Sequence, residues 1–274
     1  MKIALLGAGG KMGVRLASNL KGSRFQIAPV EVSPAGQQRL KDATGFDCVE
    51  LDVALAGAQA VILAVPDTAI RAVSHQIVDR LASGTMVIAL DAAAPFAGHL
   101  PQRDDLTYFV THPCHPPIFN DESDPAARRD FFGGVAAAQS VVSALMQGPE
   151  EHFALGEEIA KTIFRPILRA HRVTVEQMAL LEPGLSETVC ATLLVAMKEA
   201  MEEVVRRGVE RTAARDFLLG HMNVIASVVM EETQGAFSDA CNKAIENGKA
   251  RILRDDWLKV FDTEEISESI QRIT

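Results

Sequence analysis

The sequence predicts an α/β chain: an N-terminal domain on a doubly wound, mostly parallel sheet, then a mainly helical C-terminal domain. Three observations predict it. Short apolar runs alternate with helical patterns of about ten to fifteen residues from residue 1 to about 115, as in successive βαβ units. Glycines follow the first such run, in MKIALLGAGGKMG, and after RAHRVT the pattern becomes almost wholly helical.

The expected strands are Lys2–Leu6, Gln26–Val32, Ala60–Val65, Met86–Leu90 and Thr107–Val110, each followed by small or turn-forming residues, as strand ends in such sheets are. After Pro66 a helix begins at Asp67, with Ile70, Val73, Ile77, Val78 and Leu81 as its apolar stripe and Gly84 closing it. QSVVSALMQG, near 139–148, reads as a further strand. PEEHFALGEEIAKTIF reads as a helix opened by Pro149 and by acids, which the helix dipole favours at that end. The sheet domain is therefore placed at 1–170 and the helical domain at 171–274.

In the second domain, residues 174–207 form one long helix, kinked or broken near Pro183 and Gly184. TAARDFLLGHMNVIASVVMEE forms another, and shorter helices are expected near 238–249 and 263–272. No repeat or low-complexity linker intervenes, so the two parts are expected to pack around a cleft.

With 274 residues, 48% of them hydrophobic and 23% charged, the chain can bury a core without disulfide or metal. Its net charge of −9 and scattered Lys and Arg give no field for a nucleic-acid backbone. Cys48, Cys114, Cys190 and Cys241 lie far apart and read as reduced thiols. TVCATLLVAM, the longest apolar stretch, falls short of the roughly 18 residues that span a bilayer. A cytoplasmic protein, with no nucleic-acid or membrane partner, is the expectation.

A strand, a glycine bend and a helix let backbone amides at the helix N-terminus face a pyrophosphate with no Cβ in the way. Gly7, Gly10 and Gly13 fit Gly-x-x-Gly-x-x-Gly, with Gly9 between them, whereas the stricter Gly-x-Gly-x-x-Gly would need glycine where Met12 stands. Lys11 and Met12 open the helix KMGVRLASNL, and Glu31 ends the second strand about twenty residues on. A carboxylate there can accept both hydroxyls of an adenine ribose and repels a 2′-phosphate. A Rossmann site for NAD, in preference to NADP, follows from that pattern.

MKIALLGAGGKMG, ILAVPDTAI and THPCHPPIF, in that order at the ends of alternate strands, resemble the superfamily of 6-phosphogluconate and β-hydroxyacid dehydrogenases, prephenate dehydrogenases and ketol-acid reductoisomerases. The resemblance covers the whole chain. It implies a Rossmann domain followed by a helical domain, a homodimer, and a loop of Ala64, Val65 and Asp67 passing along the cofactor. From the residues alone, Asp67 reads first as a helix N-cap.

THPCHPPIFNDE is the least ordinary stretch. Pro113, Pro116 and Pro117 stiffen a loop carrying His112 and His115. A positioned histidine beside a nicotinamide can take the hydroxyl proton as hydride leaves the same carbon. His112–Pro113 is similar to the His-Pro motif of prephenate dehydrogenases, whose histidine contacts the hydroxyl being oxidised, so His112 is the expected catalytic base. Cys114 and His115 depart from that motif and argue against prephenate itself.

His112, His115 and a carboxylate from elsewhere could also hold a divalent metal. Glu182 and Glu187, acids in the otherwise apolar LLEPGLSETV beside Pro183, are the candidate ligands, and Glu182 is also a candidate catalytic group. The alternative for either is an exposed acid at a helix kink. His221, among apolar neighbours, reads first as a satisfied core histidine. Neither Lys161 nor Lys198 suits the catalytic lysine of the sugar-acid dehydrogenases.

HPCHPPIF, SALMQG and EQMALLEPGLSETV most resemble the bacterial D-apionate oxidoisomerase group. That resemblance implies NAD-dependent oxidation of the CH–OH of a small polyhydroxy acid, coupled to isomerisation with a divalent metal as second cofactor. The alternatives are a prephenate-type or plain β-hydroxyacid dehydrogenase, or a dinucleotide-binding sensor without chemistry. DDWLKVFDTEEISESIQRI, with Trp257, is expected to pack on the helical domain or on a second subunit.

Overall fold

The computed structural model describes residues 1–274. Its centre is a seven-stranded sheet of β1 (Lys2–Leu6), β2 (Gln26–Val30), β3 (Ala60–Leu63), β4 (Met86–Ala89), β5 (Thr107–Pro113), β6 (Gln139–Gln147) and β7 (Ile167–Arg172), in the order β2-β1-β3-β4-β5-β6-β7. The first five strands run parallel; β6 pairs antiparallel with β5, and β7 parallel with β6.

Both faces are covered, which is why these strands read as unbroken apolar runs and not as alternations. Ile3 and Leu5 point to one side, with Leu16 and Leu20 of α1 (Lys11–Leu20) and Ile159 and Ile163 of α6 (His152–Ile163) in the same core. Ala4 and Leu6 point to the other, with Ile70 and Ile77 of α4 (Asp67–Ile77). Between these helices lie α2 (Pro34–Thr44), α3 (Leu51–Leu55) and the short α5 (Ala93–Phe96).

Three departures from the expected elements bear on the site. The second strand stops at Val30, leaving Glu31 just beyond it. The fifth continues past Val110 to Pro113, because β6 supplies an antiparallel partner as far as the pairs His112–Val142 and Pro113–Val141. His112 therefore stands on a strand and not in a loop. Thirdly, β7 was not expected, since its exposed, charged sequence ILRAHR lacks the apolar run of a central strand.

The chain divides after Glu182, giving one unit of Met1–Glu182 with Ser267–Thr274 and another of Pro183–Ile266. A boundary at 170 would cut through β7 and detach α7 (Val175–Ala179), whose Val175 and Met178 sit in a core with Val142 and Ala144 of the sheet. Thr174 caps that helix through Gln177 in a reciprocal capping box. The expected long helix is broken where Pro183 forces its neighbour into extended backbone: Glu182 has φ −138° and ψ 113°. A widened helical stretch, Leu180–Ala191, leads into α8 (Thr192–Arg206). Counted together, Val175–Arg206 has the length and hydropathy of a membrane span, contrary to the expectation from unbroken apolar runs, but the break at Glu182 interrupts it.

The second unit holds α8, α9 (Arg211–Val229) and α10 (Asp239–Ile252), with α11 (Thr263–Ile273) running out of it. Neither α8 nor α10 buries a single residue, and α9 buries only Ala214.

Phe109, fully buried on β5, lies where Gly156 of α6 crosses it, and a Cβ at 156 would overlap the ring. Gly156→Ala is expected to lower stability by about 1–3 kcal/mol through overpacking, against the usual benefit of alanine in a helix. The urea midpoint with an unchanged slope checks this.

Candidate active site

The carboxyl ends of β1, β3, β4 and β5 meet along one edge of the sheet, where ligands bind in open α/β folds. After β1 the chain turns at Gly7, whose φ of +78° suits glycine, and a Cβ there would overlap the Ala64 carbonyl. A Cβ on Gly13 would overlap the Gly7 carbonyl, so the third glycine is needed one position later than the strict motif puts it. Gly10 has no such close neighbour and lines a cleft. It precedes α1 without a capping side chain, so the amides of the first turn, Lys11 to Gly13, have no helical carbonyl to meet.

Glu31 is held across this bend. Its Oε2 accepts from the Gly9 amide at 3.0 Å and its Oε1 from the Ser33 amide at 2.8 Å. A cleft of about 390 Å³ lies between Glu31, Gly7, Gly10 and Val65. A second, of about 300 Å³, lies between Lys11, Met12, Asp67 and Asp91, and both clefts share Gly10, Ala64, Val65 and Pro66. Together they form a trough from Glu31 to Asp91, and it includes every residue the sequence pointed to for the dinucleotide apart from Gly9 and Gly13, which shape the bend beneath it.

At the far end, Asp91, His112 and Glu182 bring one ligand atom each to within 4.8 Å of one another. The Nδ1 of His112 is 2.8 Å from the Pro113 carbonyl. A carbonyl only accepts, so Nδ1 carries the proton, and in the neutral ring Nε2 carries the lone pair. Nε2 lies 3.9 Å from Asp91 Oδ2, too far for a hydrogen bond. Asp91 Oδ1 accepts from the Ala93 amide at 2.6 Å, which fixes the carboxylate at the start of α5.

Burial pushes the Asp91 carboxyl above its usual range and Glu182 adds to this, while the Ala93 amide and His112 pull it down. Asp67 is also raised, by burial first and then by Asp91 and Glu182, against His112. Asp67 opens α4 after Pro66, so it is not a cap.

The cluster differs from the one the sequence suggested. Asp91, in the unremarked dipeptide Leu90–Asp91, takes the place expected for His115. Only its position at a strand end on the ligand-binding edge could have singled it out. Glu187 belongs to the second unit. His221 is exposed, stacked on Phe217 at 3.9 Å with its Nδ1 on the Phe217 carbonyl, so it is no core histidine.

His115 turns instead towards the segment that follows. Its φ is +60°, its Nδ1 lies 2.9 Å from the Phe132 carbonyl, and its ring stands edge-on to those of His112 and Phe132. That segment is drawn together by Asp130, whose Oδ2 accepts from the amides of Val135, Ala136 and Ala137. Glu122 accepts from the Ala138 amide.

Comparison with known proteins agrees with the trough. Residues 2–96 match the NAD binding domain of 6-phosphogluconate dehydrogenase, and residues 120–274 match the C-terminal domain of decarboxylating phosphogluconate dehydrogenase. The chain belongs to this family of NAD-binding dehydrogenases. Among its relatives are D-apionate oxidoisomerases of Cupriavidus necator and Rhizobium rhizogenes, each 68% identical, covering 100% and 99% of this chain and 99% of their own. A crystal structure of a Cupriavidus necator protein described as a semialdehyde dehydrogenase NAD-binding protein, in complex with calcium and NAD, is 68% identical with a TM-score of 0.98, covering 100% of this chain and 99% of that one.

Burial alone would raise the Asp130 carboxyl, but the three amides, with Arg15, outweigh it and hold it below its usual range. A depressed carboxyl stabilises above its unfolded value, near 4, and that contribution is lost as pH falls through its folded value. Exchange of the Val135, Ala136 and Ala137 amides should therefore quicken below about pH 4, and Asp130→Ala should show fast exchange at neutral pH, with a local loss of about 1–3 kcal/mol.

Proposed function

We propose that this chain is an NAD-dependent oxidoisomerase of D-apionate or a closely similar branched sugar acid, oxidising its CH–OH and shifting a carbon substituent. One observation carries the reading: the trough beginning at the glycine bend and Glu31 ends at Asp91, whose Oδ2 lies 3.9 Å from His112 Nε2. When bound, NAD supplies the hydride acceptor. His112 takes the hydroxyl proton on Nε2, its ring oriented by the Nδ1 bond to Pro113, and Asp91 steadies the imidazolium so formed. Glu182, at the break before Pro183, is placed to orient a neighbouring hydroxyl. The relatives are enzymes by name, which leaves a non-catalytic sensor without support. Four free cysteines are consistent with a reducing, cytoplasmic setting.

A second reading has its own observation. One ligand atom each of Asp91, His112 and Glu182 lies within 4.8 Å of the others, and one imidazole with two carboxylates is a donor set suited to a divalent ion. A metal there would polarise adjacent substrate oxygens. Nε2 has one lone pair, so the uses as base and as ligand exclude one another.

The test is NADH absorbance with D-apionate and NAD, with and without chelator. His112→Ala is expected to lower kcat by about 10²–10⁴-fold while NAD still binds; full turnover in that variant would sink the base assignment. Loss of activity on chelation, restored by a divalent metal, would favour ligation by Asp91, His112 and Glu182.

We also propose that the chain works as a homodimer. The groove between α8 and α9, about 620 Å³ and lined by Met197, Met201, Val204, Phe217 and Ile225, is an almost wholly apolar face that a second copy would cover. Phe217→Glu should convert the dimer to a monomer in light scattering, and a monomeric wild type would refute the assignment.

A further inference from the structure

The side chains of Arg15, Phe132, His115 and His112 form one continuous row. Arg15 stands on α1, two residues past Gly13, with its guanidinium carbon 5.1 Å from the centroid of the Phe132 ring. Phe132 meets His115 at 6.3 Å and His115 meets His112 at 5.8 Å, both edge to face at 86°. These are the separations at which a cation on a ring face, or a ring edge on a ring face, attracts.

The row is held from within the backbone as well. His115 has φ +60°, in the left-handed region that is uncommon outside glycine and in which asparagine, aspartate and histidine are enriched. What holds it there is its own Nδ1–H, donated to the Phe132 carbonyl at 2.9 Å. Phe132 is 64% exposed, yet it lies between Arg15 and His115 on a segment braced by Asp130. An exposed phenylalanine and a histidine in left-handed backbone, packed on each other against His112, serve no core.

We infer that His115 is a positioning residue: with Phe132 and Arg15 behind it, its ring buttresses His112 so that Nε2 stays aimed at the cluster, tying the base to the helix on which the dinucleotide sits. The Nδ1 bond to Pro113 fixes one edge of the His112 ring, and the His115 ring packs on it at right angles. The inference rests on His112 acting as the base, and the experiment separates the two.

Full-length His115→Asn keeps a residue that tolerates positive φ and retains a donor for the Phe132 carbonyl, while removing the ring; His115→Gly keeps only the turn. Both are expected to lose about 10- to 100-fold in kcat, the cost of a misplaced base, with NAD affinity and melting temperature near wild type. With substrate deuterated at the oxidised carbon, the isotope effect on kcat should increase as transfer becomes slower. Phe132→Leu, which removes the ring behind His115, should give a smaller loss of the same kind, and it carries the test should the His115 variants fail to fold. Wild-type kcat in the folded variants, or a loss confined to KM for NAD, would overturn the role. Wild-type kcat in His112→Ala would overturn the base reading instead.

Discussion

The parallel register of β1, β3, β4 and β5 is the constraint on which the rest depends. Because these strands run the same way with both faces covered, their carboxyl ends fall on one edge, and each delivers one part of the site: Gly7 from β1, Val65 and Asp67 beyond β3, Asp91 beyond β4, His112 on β5. The helices α1 and α4 begin on that same edge, so unpaired first-turn amides and acidic side chains meet there. The glycines are the steric condition for this arrangement. A side chain at 7 would collide with the Ala64 carbonyl, and one at 13 with the Gly7 carbonyl, forcing the bend apart.

The electrostatics of the site follow from that convergence. Asp67, Asp91 and Glu182 are drawn together around a single imidazole, and the two aspartates hold their protons more tightly than free carboxylates because burial and neighbouring acids disfavour their charge. Such a cluster attracts positive charge, whether an imidazolium formed as His112 accepts a proton or a divalent ion. Perturbed carboxyls gathered at the end of a cofactor trough are the usual mark of chemistry and not of fold stability.

The second unit obeys a different rule. Its helices are amphipathic, but α8 and α10 bury nothing and α9 buries one alanine, so their apolar faces are left to be covered by something else. A helix stabilised mainly by packing keeps its form only when that face finds a partner.

The fold class, the succession of the first six strands along the chain, the glycine bend with Glu31 and the prominence of His112 were legible in the sequence alone. Each rests on local chemistry that a sequence displays: apolar runs buried on two faces, glycine where a Cβ cannot fit, proline beside a histidine. What only the tertiary structure decided was partnership. Nothing local in LDAAAP marks Asp91, whose meaning comes from β4 lying beside β5, and nothing in THPCHPP shows that His115 turns away from the cluster towards Phe132, seventeen residues on. The seventh strand was hidden for a similar reason, since an exposed edge strand carries no apolar signature and is held by backbone bonds to a neighbour distant in sequence.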